Sequence, residues 1–172
     1  TGYRRQRQMC IRDRSYFVVT LHRPSNLNDD ILEDVFEAIS NFTDDFQVIL
    51  PAHPRLKNYI ENNNIEISNV ILIDPLSYID FMSLVYGCHL VLTDSGGIQE
   101  ETTYLGINCL TLREETERPV TIKQGTNKIV GTDKENIINE INNVLESKIS
   151  KEVKIKYWDG ETSDRIFQIL FG

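Results

Sequence analysis

Short apolar segments alternate with longer amphipathic segments along nearly the whole chain, and this alternation limits the possible folds most. Residues 70–73 (VILI) and 90–93 (LVLT) are apolar at every position except Thr93, so neither segment has a polar face. Strands of this kind are buried on both faces, as in a parallel sheet that helices cover on both sides. The alternation therefore predicts an α/β fold with a doubly wound, Rossmann-like parallel sheet.

The hydrophobic periodicity gives the expected order of these elements. Strands are predicted over residues 16–21, 46–50, 70–73, 90–93, 108–112 and 128–130. Helices are predicted over residues 29–42, 55–61, 78–86, 97–105, 133–145 and 161–170. Since ligands of such sheets bind beyond the carboxyl ends of the strands, functional residues are expected just after each strand.

The charge distribution separates the first fourteen residues from the rest. Residues 1–14 contain five arginines and one aspartate, a local charge of +4, so the remainder of a chain with net charge −8 carries −12. Such an acidic body is a poor partner for nucleic acid, and no nucleic-acid partner is predicted. Residues 1–14 are predicted to be disordered or foreign to the domain, and residues 15–172 to form one α/β domain.

Cysteine content and hydropathy exclude several further classes. Cys10, Cys88 and Cys109 form no CxxC pair, so neither a disulfide framework nor a zinc site is predicted. This cysteine usage favours a reducing cytoplasm. No apolar run approaches the roughly 20 residues that span a bilayer, so no membrane association is predicted.

Residues 92–101 (LTDSGGIQEE) form the segment with the strongest functional signal. A strand ends, Gly96 and Gly97 allow a tight turn and close approach of the backbone, and the free amides of the next helix can bind a diphosphate. Ser95 can add a hydroxyl donor, and Glu101 can reach the hydroxyls of a ribose. An ordinary strand–turn–helix connection explains the same residues. The segment matches neither GxGxxG nor the P-loop, which disfavours an NAD or ATP site.

Four other residues follow predicted strands. His22 can act as a general acid or base or as a cation beside a phosphate, and His53 has the same options. Arg118 can pair with a diphosphate, and Phe81 can stack against a base. Structural histidines, a solvated charged loop and core aromatics are the alternative interpretations. The three histidines lack ligand spacing, so no metal is predicted.

Seven strings carry a resemblance to one family: TLHRPSN, ILPAHPR, NVILIDPLSY, LVLTDSGGIQEE, LREETERP, GTNKIVGTD and YWDGETSDRI. The chain resembles the carboxyl-terminal domain of non-hydrolysing UDP-N-acetylglucosamine 2-epimerases, enzymes of cell-surface polysaccharide biosynthesis. The resemblance implies the second domain of a two-domain fold of the glycosyltransferase-B type, with the first domain missing from this sequence. It also implies inversion at C2 of the sugar by elimination and re-addition of UDP, without a cofactor.

The resemblance implies a role for each candidate residue. His22 resembles the catalytic histidine near the phosphates, and His53 resembles a position that contacts a second, regulatory substrate molecule in some members. The residues that resemble UDP ligands are Phe81, Ser95, Gly96, Gly97, Glu101 and Arg118, and Arg23 beside His22 can also contact a phosphate through its own guanidinium. Ser95 and the glycines correspond to the diphosphate loop, Arg118 to a diphosphate ligand, Glu101 to the ribose ligand and Phe81 to the residue beside uracil.

The departures from the family pattern leave alternatives open. Residues 23–26 read RPSN where many members have RREN, Leu76 replaces a frequent glutamine, and Glu115 stands where threonine is usual. The family's proton-transferring carboxylates lie in the first domain, so the chain alone is expected to be inactive. Its expected partners are a UDP-sugar, that first domain and, as a full-length protein, a second copy in a homodimer. The alternatives are an epimerase-like enzyme for another UDP-2-acetamido sugar, the donor-binding domain of a glycosyltransferase and a non-catalytic UDP-sugar binding module.

Overall fold

A six-stranded parallel sheet forms the centre of the part of the chain that the structure describes. The structure is a computed structural model, and it describes residues 15–67, 69–147 and 153–172. The strands are β1 (Tyr16–Thr20), β2 (Gln47–Pro51), β3 (Val70–Ile73), β4 (Leu90–Thr93), β5 (Cys109–Thr111) and β6 (Asn127–Ile129). All five neighbouring pairs are parallel, which confirms the predicted fold class. The prediction for residues 1–14 lies outside the described residues.

Seven helices connect or follow these strands in the described ranges. They are α1 (Asp29–Ser40), α2 (Pro54–Asn63), α3 (Tyr78–Tyr86), α4 (Gly96–Leu105), α5 (Pro119–Lys123), α6 (Lys134–Glu146) and α7 (Thr162–Phe171). Side-chain caps fix four of the starts. At two of them, Asn28 Oδ1 accepts from the amide of Ile31 at 2.9 Å, and Asp133 Oδ1 accepts from the amide of Asn136 at 2.8 Å. Each cap satisfies an amide that the first helical turn leaves without a partner.

The strand order is β3-β2-β1-β4-β5-β6, so the direction of winding reverses between β1 and β4. Thr20 at the end of β1 pairs with Thr93 at the end of β4, and their hydroxyls lie 2.7 Å apart. The loops that leave β1 and β4 therefore diverge to opposite sides and open a crevice at the carboxyl edge of the sheet. Such a switch point is where open α/β sheets bind ligands.

The two faces of the sheet pack separate hydrophobic layers. Alternate strand residues such as Phe17 and Leu92 meet α1, α2 and α6 in the larger core cluster. Their neighbours Val18 and Val91 face the other side and pack against α3 and α4. The central strands β1 and β4 are almost completely buried on both faces, which is the reason why they are apolar at nearly every position.

Helix α7 has an apolar face that the rest of the described chain does not cover. The exposed fractions of Ile166, Phe167, Ile169, Leu170 and Phe171 lie between 52% and 82%. In the two-domain fold that the family resemblance implies, the last helix crosses back to the other domain, and this packing stays a prediction. Within the described ranges no helix combines the length and apolarity that a membrane span requires.

The observed bounds differ from the sequence prediction in two instructive places. Helix α1 ends at Ser40 instead of residue 42, because a turn at 41–45 leads into β2. Helix α5 was not predicted, since residues 113–119 were interpreted as a charged loop and residues 120–127 were assigned to no element. Pro119 begins this short helix, where a missing N–H costs nothing because the first helical amides have no partner in the helix.

Candidate functional site

Asp94, which directly follows β4, is the buried centre of the crevice. Its side chain has no solvent exposure. One carboxylate oxygen accepts from the backbone amides of His22 at 3.0 Å and Arg23 at 2.9 Å. The chain that leaves β1 is therefore wrapped around the carboxylate that follows β4.

The ring of His22 completes this arrangement. Its Nδ1 lies 2.7 Å from Oδ1 of Asp94, while its side chain is half exposed. The hydrogen bond that the ring donates to Asp94 raises the pKa of His22, although burial of the ring acts in the opposite direction. Since Nδ1 faces the buried carboxylate, Nε2 lies on the solvent side of the ring.

Asp94 remains ionised despite its burial. Desolvation raises its pKa, but the hydrogen bonds from the His22 ring and from the amides of Arg23 and His22 outweigh it and lower the pKa overall. Buried Asn26 adds a weak contact of 3.4 Å from Nδ2 and also donates to the carbonyl of Leu112 at 3.0 Å. Sequence analysis missed Asp94, although a carboxylate directly after a buried strand was a visible signal.

The amino terminus of α4 opens into the same crevice. Ser95 is the N-cap residue, and its hydroxyl makes no capping bond. A Cβ added to Gly97 would meet no atom within 4 Å, and one added to Gly96 would meet only Oε2 of Glu117 at 3.5 Å. Neither glycine has a positive φ, so the predicted tight turn is not the reason for glycine. The two glycines leave the backbone at the start of α4 without side chains, and the space beside it is open.

A pair of arginines meets one carboxylate next to Gly96. Glu117 accepts from Arg113 at 2.7 and 3.0 Å, and it also accepts from Arg23 at 3.2 Å. The hydrogen bonds from Arg113 lower the pKa of Glu117 to about 2. Arg23 in addition donates its Nε–H to the carbonyl of Asp94 at 3.0 Å. The loops after β1, β4 and β5 are thus joined by charged contacts.

Arg118 lies at the opposite end of the loop that follows β5. Its Nε is 3.0 Å from Oε2 of Glu100 on α4, and its side chain is 44% exposed. The backbone amide of Arg118 donates to the hydroxyl of Thr116 at 2.9 Å. The guanidinium is therefore held against the first turns of α4. Its Nε makes the ion pair, and its NH1 and NH2 groups lie farther along the side chain.

A buried polar network supports this loop from below. Oε1 of Gln99 accepts from the hydroxyl of Thr116 at 2.5 Å and from Nδ2 of Asn127 at 3.2 Å. Asn127 also donates to Thr121 at 3.0 Å and accepts from Thr111 at 2.6 Å. The network ties α4, β6 and α5 together under Arg118, and sequence analysis did not find it.

Phe81 and Glu101 lie on the α3–α4 side of the crevice. Phe81 is half buried against the smaller core cluster. Glu101 accepts a hydrogen bond from the hydroxyl of Tyr78, which raises the pKa of that tyrosine. Both Tyr78 and Glu101 line an open groove of about 530 Å³ between the two helices. The expected uracil and ribose contacts thus lie on adjoining helices.

His53 stands apart from this cluster. It is the N-cap residue of α2, and its Nδ1 accepts from the amide of Arg55 at 3.2 Å. Across the described ranges, no hydrogen bond or ion pair links His53 to another candidate residue. The same part of the chain contains no cluster of three or more His, Cys, Asp or Glu side chains suited to a metal ion.

Comparison with known proteins agrees with this geometry. The family model for UDP-N-acetylglucosamine 2-epimerase matches residues 2–171. The UDP-N-acetylglucosamine 2-epimerase of Methanococcus maripaludis is 36% identical over 173 residues, an alignment that covers 94% of this chain and 46% of the relative. The chain therefore spans slightly less than half the length of that curated relative.

Solved structures give the same result. The UDP-GlcNAc 2-epimerase of Methanocaldococcus jannaschii has a TM-score of 0.84 and 34% identity, and the match covers 98% of this chain and 49% of that chain. A structure of the same enzyme in complex with UDP-GlcNAc and UDP has a TM-score of 0.82 and 33% identity, with 99% and 48% covered.

Proposed function

The chain belongs to the UDP-N-acetylglucosamine 2-epimerase family, and we propose from this premise that residues 15–172 are the UDP-binding half of such an epimerase. The parent enzyme interconverts UDP-N-acetylglucosamine and UDP-N-acetylmannosamine by eliminating and re-adding UDP. The complex of the Methanocaldococcus jannaschii relative with UDP-GlcNAc and UDP supports this ligand class.

One observation carries the proposal: two loops bring hydrogen-bond donors and cations to the exposed amino terminus of α4. His22 and Arg23 come from the loop after β1, and Arg118 comes from the loop after β5. Together with the free amides of α4, they suit a group with two negative charges, such as a diphosphate. Glu117 beside Gly96 indicates that a carboxylate is tolerated at this position.

The proposed chemistry assigns leaving-group stabilisation to this half of the enzyme. When the bond from C1 of the sugar to the diphosphate breaks, negative charge develops on the departing phosphate oxygen. Donors already in place at the α4 terminus and on Arg118 stabilise that charge without further reorganisation. The same groups hold UDP while a proton returns to C2 from the opposite face and the diphosphate oxygen adds back to C1 of the glycal.

Removal of the C2 proton needs a general base, which the family resemblance assigns to its other domain. Loss of a positioned base typically lowers a rate by about 10²- to 10⁴-fold, so we expect negligible turnover by these 172 residues alone. The exposed apolar face of α7 supports contact with that domain. A homodimer of the full-length protein and a cytoplasmic location remain predictions.

The first experiment measures ligand contact and C2 exchange together. UDP-N-acetylglucosamine is mixed with the chain in heavy water, and proton NMR records saturation transfer and the H2 signal. We expect saturation transfer, strongest at the uridine protons, without loss of H2. Loss of H2 with a new manno signal contradicts the assignment of the base to the other domain, and absence of saturation transfer contradicts the UDP site.

A matched pair of arginine variants tests the site itself. Arg118→Gln is expected to weaken UDP binding by about 10- to 150-fold, the loss of one or two charge-assisted hydrogen bonds to phosphate. Arg165→Gln is the control, since Arg165 is equally an ion-paired, partly exposed arginine but lies on α7. Equal affinity of the two variants in calorimetric titrations shows that Arg118 makes no contact with the diphosphate.

A further inference from the structure

We propose that Asp94 is a positioning residue that holds His22 as a protonated hydrogen-bond donor toward the diphosphate of the ligand. This inference rests on the proposed UDP site and adds a residue and a pH dependence to it. Asp94 itself lies beneath His22 and does not contact the ligand. It acts only through the ring that it orients.

The geometry leaves little freedom for the ring. Asp94 has no exposed side-chain surface and is held by the amides of His22 and Arg23, so its oxygens cannot swing away. Oδ1 is 2.7 Å from Nδ1 of His22. A proton must lie on Nδ1 for this contact to be favourable, because two unprotonated acceptors at that distance repel each other. Nε2 then remains on the half-exposed side of the ring, which faces the crevice.

The state of Nε2 depends on pH. When the ring is doubly protonated, Nε2–H is a charged donor beside the amino terminus of α4 and favours a phosphate oxygen. When the ring loses one proton, Nδ1 keeps its hydrogen for Asp94, and Nε2 presents a lone pair that repels the phosphate. Asp94 therefore determines which proton the ring loses. When that proton is lost, Nε2 changes from a hydrogen-bond donor to an acceptor.

Other charged side chains lie on the loops and the helix around His22. Arg23 lies next to it in the chain and lowers its pKa, while Glu117 and Arg113 lie across the crevice in the loop after β5. The pKa of Glu117 is about 2, and the pKa of Arg113 is raised by its contact with Glu117. The Arg118–Glu100 pair lies against the first turns of α4. A pH effect around and above the ordinary titration range of histidine thus belongs to His22.

Two measurements test the inference on the whole chain. Nitrogen-15 NMR of the ring nitrogens, with the His22 signals assigned by their loss in His22→Gln, gives the tautomer and the titration midpoint in wild type and in Asp94→Asn. Calorimetry gives the affinity for UDP-N-acetylglucosamine across the same pH range. This probe is chosen because its diphosphate has no terminal phosphate that titrates near pH 6, and uridine is the control ligand without phosphates.

In wild type we expect the Nδ1–H tautomer in the neutral ring and about tenfold weaker binding of UDP-N-acetylglucosamine above the titration, with uridine unaffected. Asp94→Asn should lower the His22 midpoint and weaken binding about tenfold near neutral pH. In the His22→Gln background it should have no further effect on affinity. An Nε2–H tautomer, an unchanged midpoint or an equal loss of affinity in that background overturns the proposal.

Two outcomes distinguish a failure of this inference from a failure of the variant to fold and from a failure of the proposed function. If Asp94→Asn does not fold, the wild-type tautomer and the flat pH profile expected for His22→Gln still decide the question. If wild type binds no UDP-N-acetylglucosamine at any pH, the proposed function fails and the ligand half of this inference fails with it. The tautomer then tests the pairing of Asp94 with His22 by itself.

Discussion

Replacing Asn127 by leucine tests whether the network beneath Arg118 stabilises the domain. Asn127 is 5% exposed and uses both ends of its amide, with Thr111 donating to Oδ1 and Nδ2 donating to Gln99 and Thr121. Leucine has a similar volume and cannot make any of the three bonds. The change therefore removes polar contacts without opening a large cavity.

The expected magnitude follows from those three bonds. Each contributes about 1 kcal/mol net, which gives about 3 kcal/mol in total. The hydroxyl of Thr111, which is fully buried, loses its acceptor. Burial of the apolar leucine side chain stabilises the variant by about 1 kcal/mol. We expect the free energy of unfolding to fall by about 2 kcal/mol.

Urea unfolding followed by far-ultraviolet circular dichroism measures this loss. Asn58→Leu is the matched control, because Asn58 is exposed in the middle of α2. It should change the free energy of unfolding by no more than about 0.5 kcal/mol. A loss below about 0.5 kcal/mol for Asn127→Leu refutes the view that the network is a stabilising element. Weaker UDP binding in Asn127→Leu than in Asn58→Leu is expected as well, since Thr116 and Arg118 lose part of their support.

Three further predictions concern packing and charge. Gly125→Ala should lower the free energy of unfolding by about 1–3 kcal/mol, because the new Cβ would lie 2.5 Å from both Cγ2 of Thr103 and the carbonyl of Thr121; urea unfolding measures it. Gly97→Ala, with open space around its Cβ, should leave that free energy unchanged or raise it by up to about 1 kcal/mol. His22→Gln should lower the unfolding temperature most at about pH 5.5 and least at about pH 9, since a group whose folded pKa is raised stabilises below its unfolded pKa and loses that effect as pH rises. A difference that grows with pH contradicts the pairing of His22 with Asp94.

The local elements were largely predictable because their causes are local. Residues 90–93 are apolar on both faces, which identifies a buried parallel strand without knowledge of its neighbours. Asn28 and Asp133 mark helix starts through bonds to amides only three residues away. Helix α5 could not be predicted from such short-range causes. Its five residues follow a charged segment and form too few turns for a periodic pattern.

The candidate site was predictable only in part. The sequence pointed to Ser95, Gly96 and Gly97 because a strand followed by small residues and a helix is a local pattern. It did not identify the residues that surround them in the folded domain. Glu117 lies between Arg23 and Arg113, and the contact with Arg23 joins residues 94 positions apart. No spacing rule relates such positions before the strand order is known.

The sequence by itself therefore determined a doubly wound parallel sheet and a set of polar residues at the carboxyl ends of its strands. Tertiary structure alone decided that β1 lies beside β4, and this adjacency brings His22 within 2.7 Å of Asp94 across 72 positions of chain. The physical reason is that periodicity reports which face of an element is buried, whereas strand order depends on how all the elements pack together. The pairing of a buried carboxylate with a half-exposed histidine arises only at that second level.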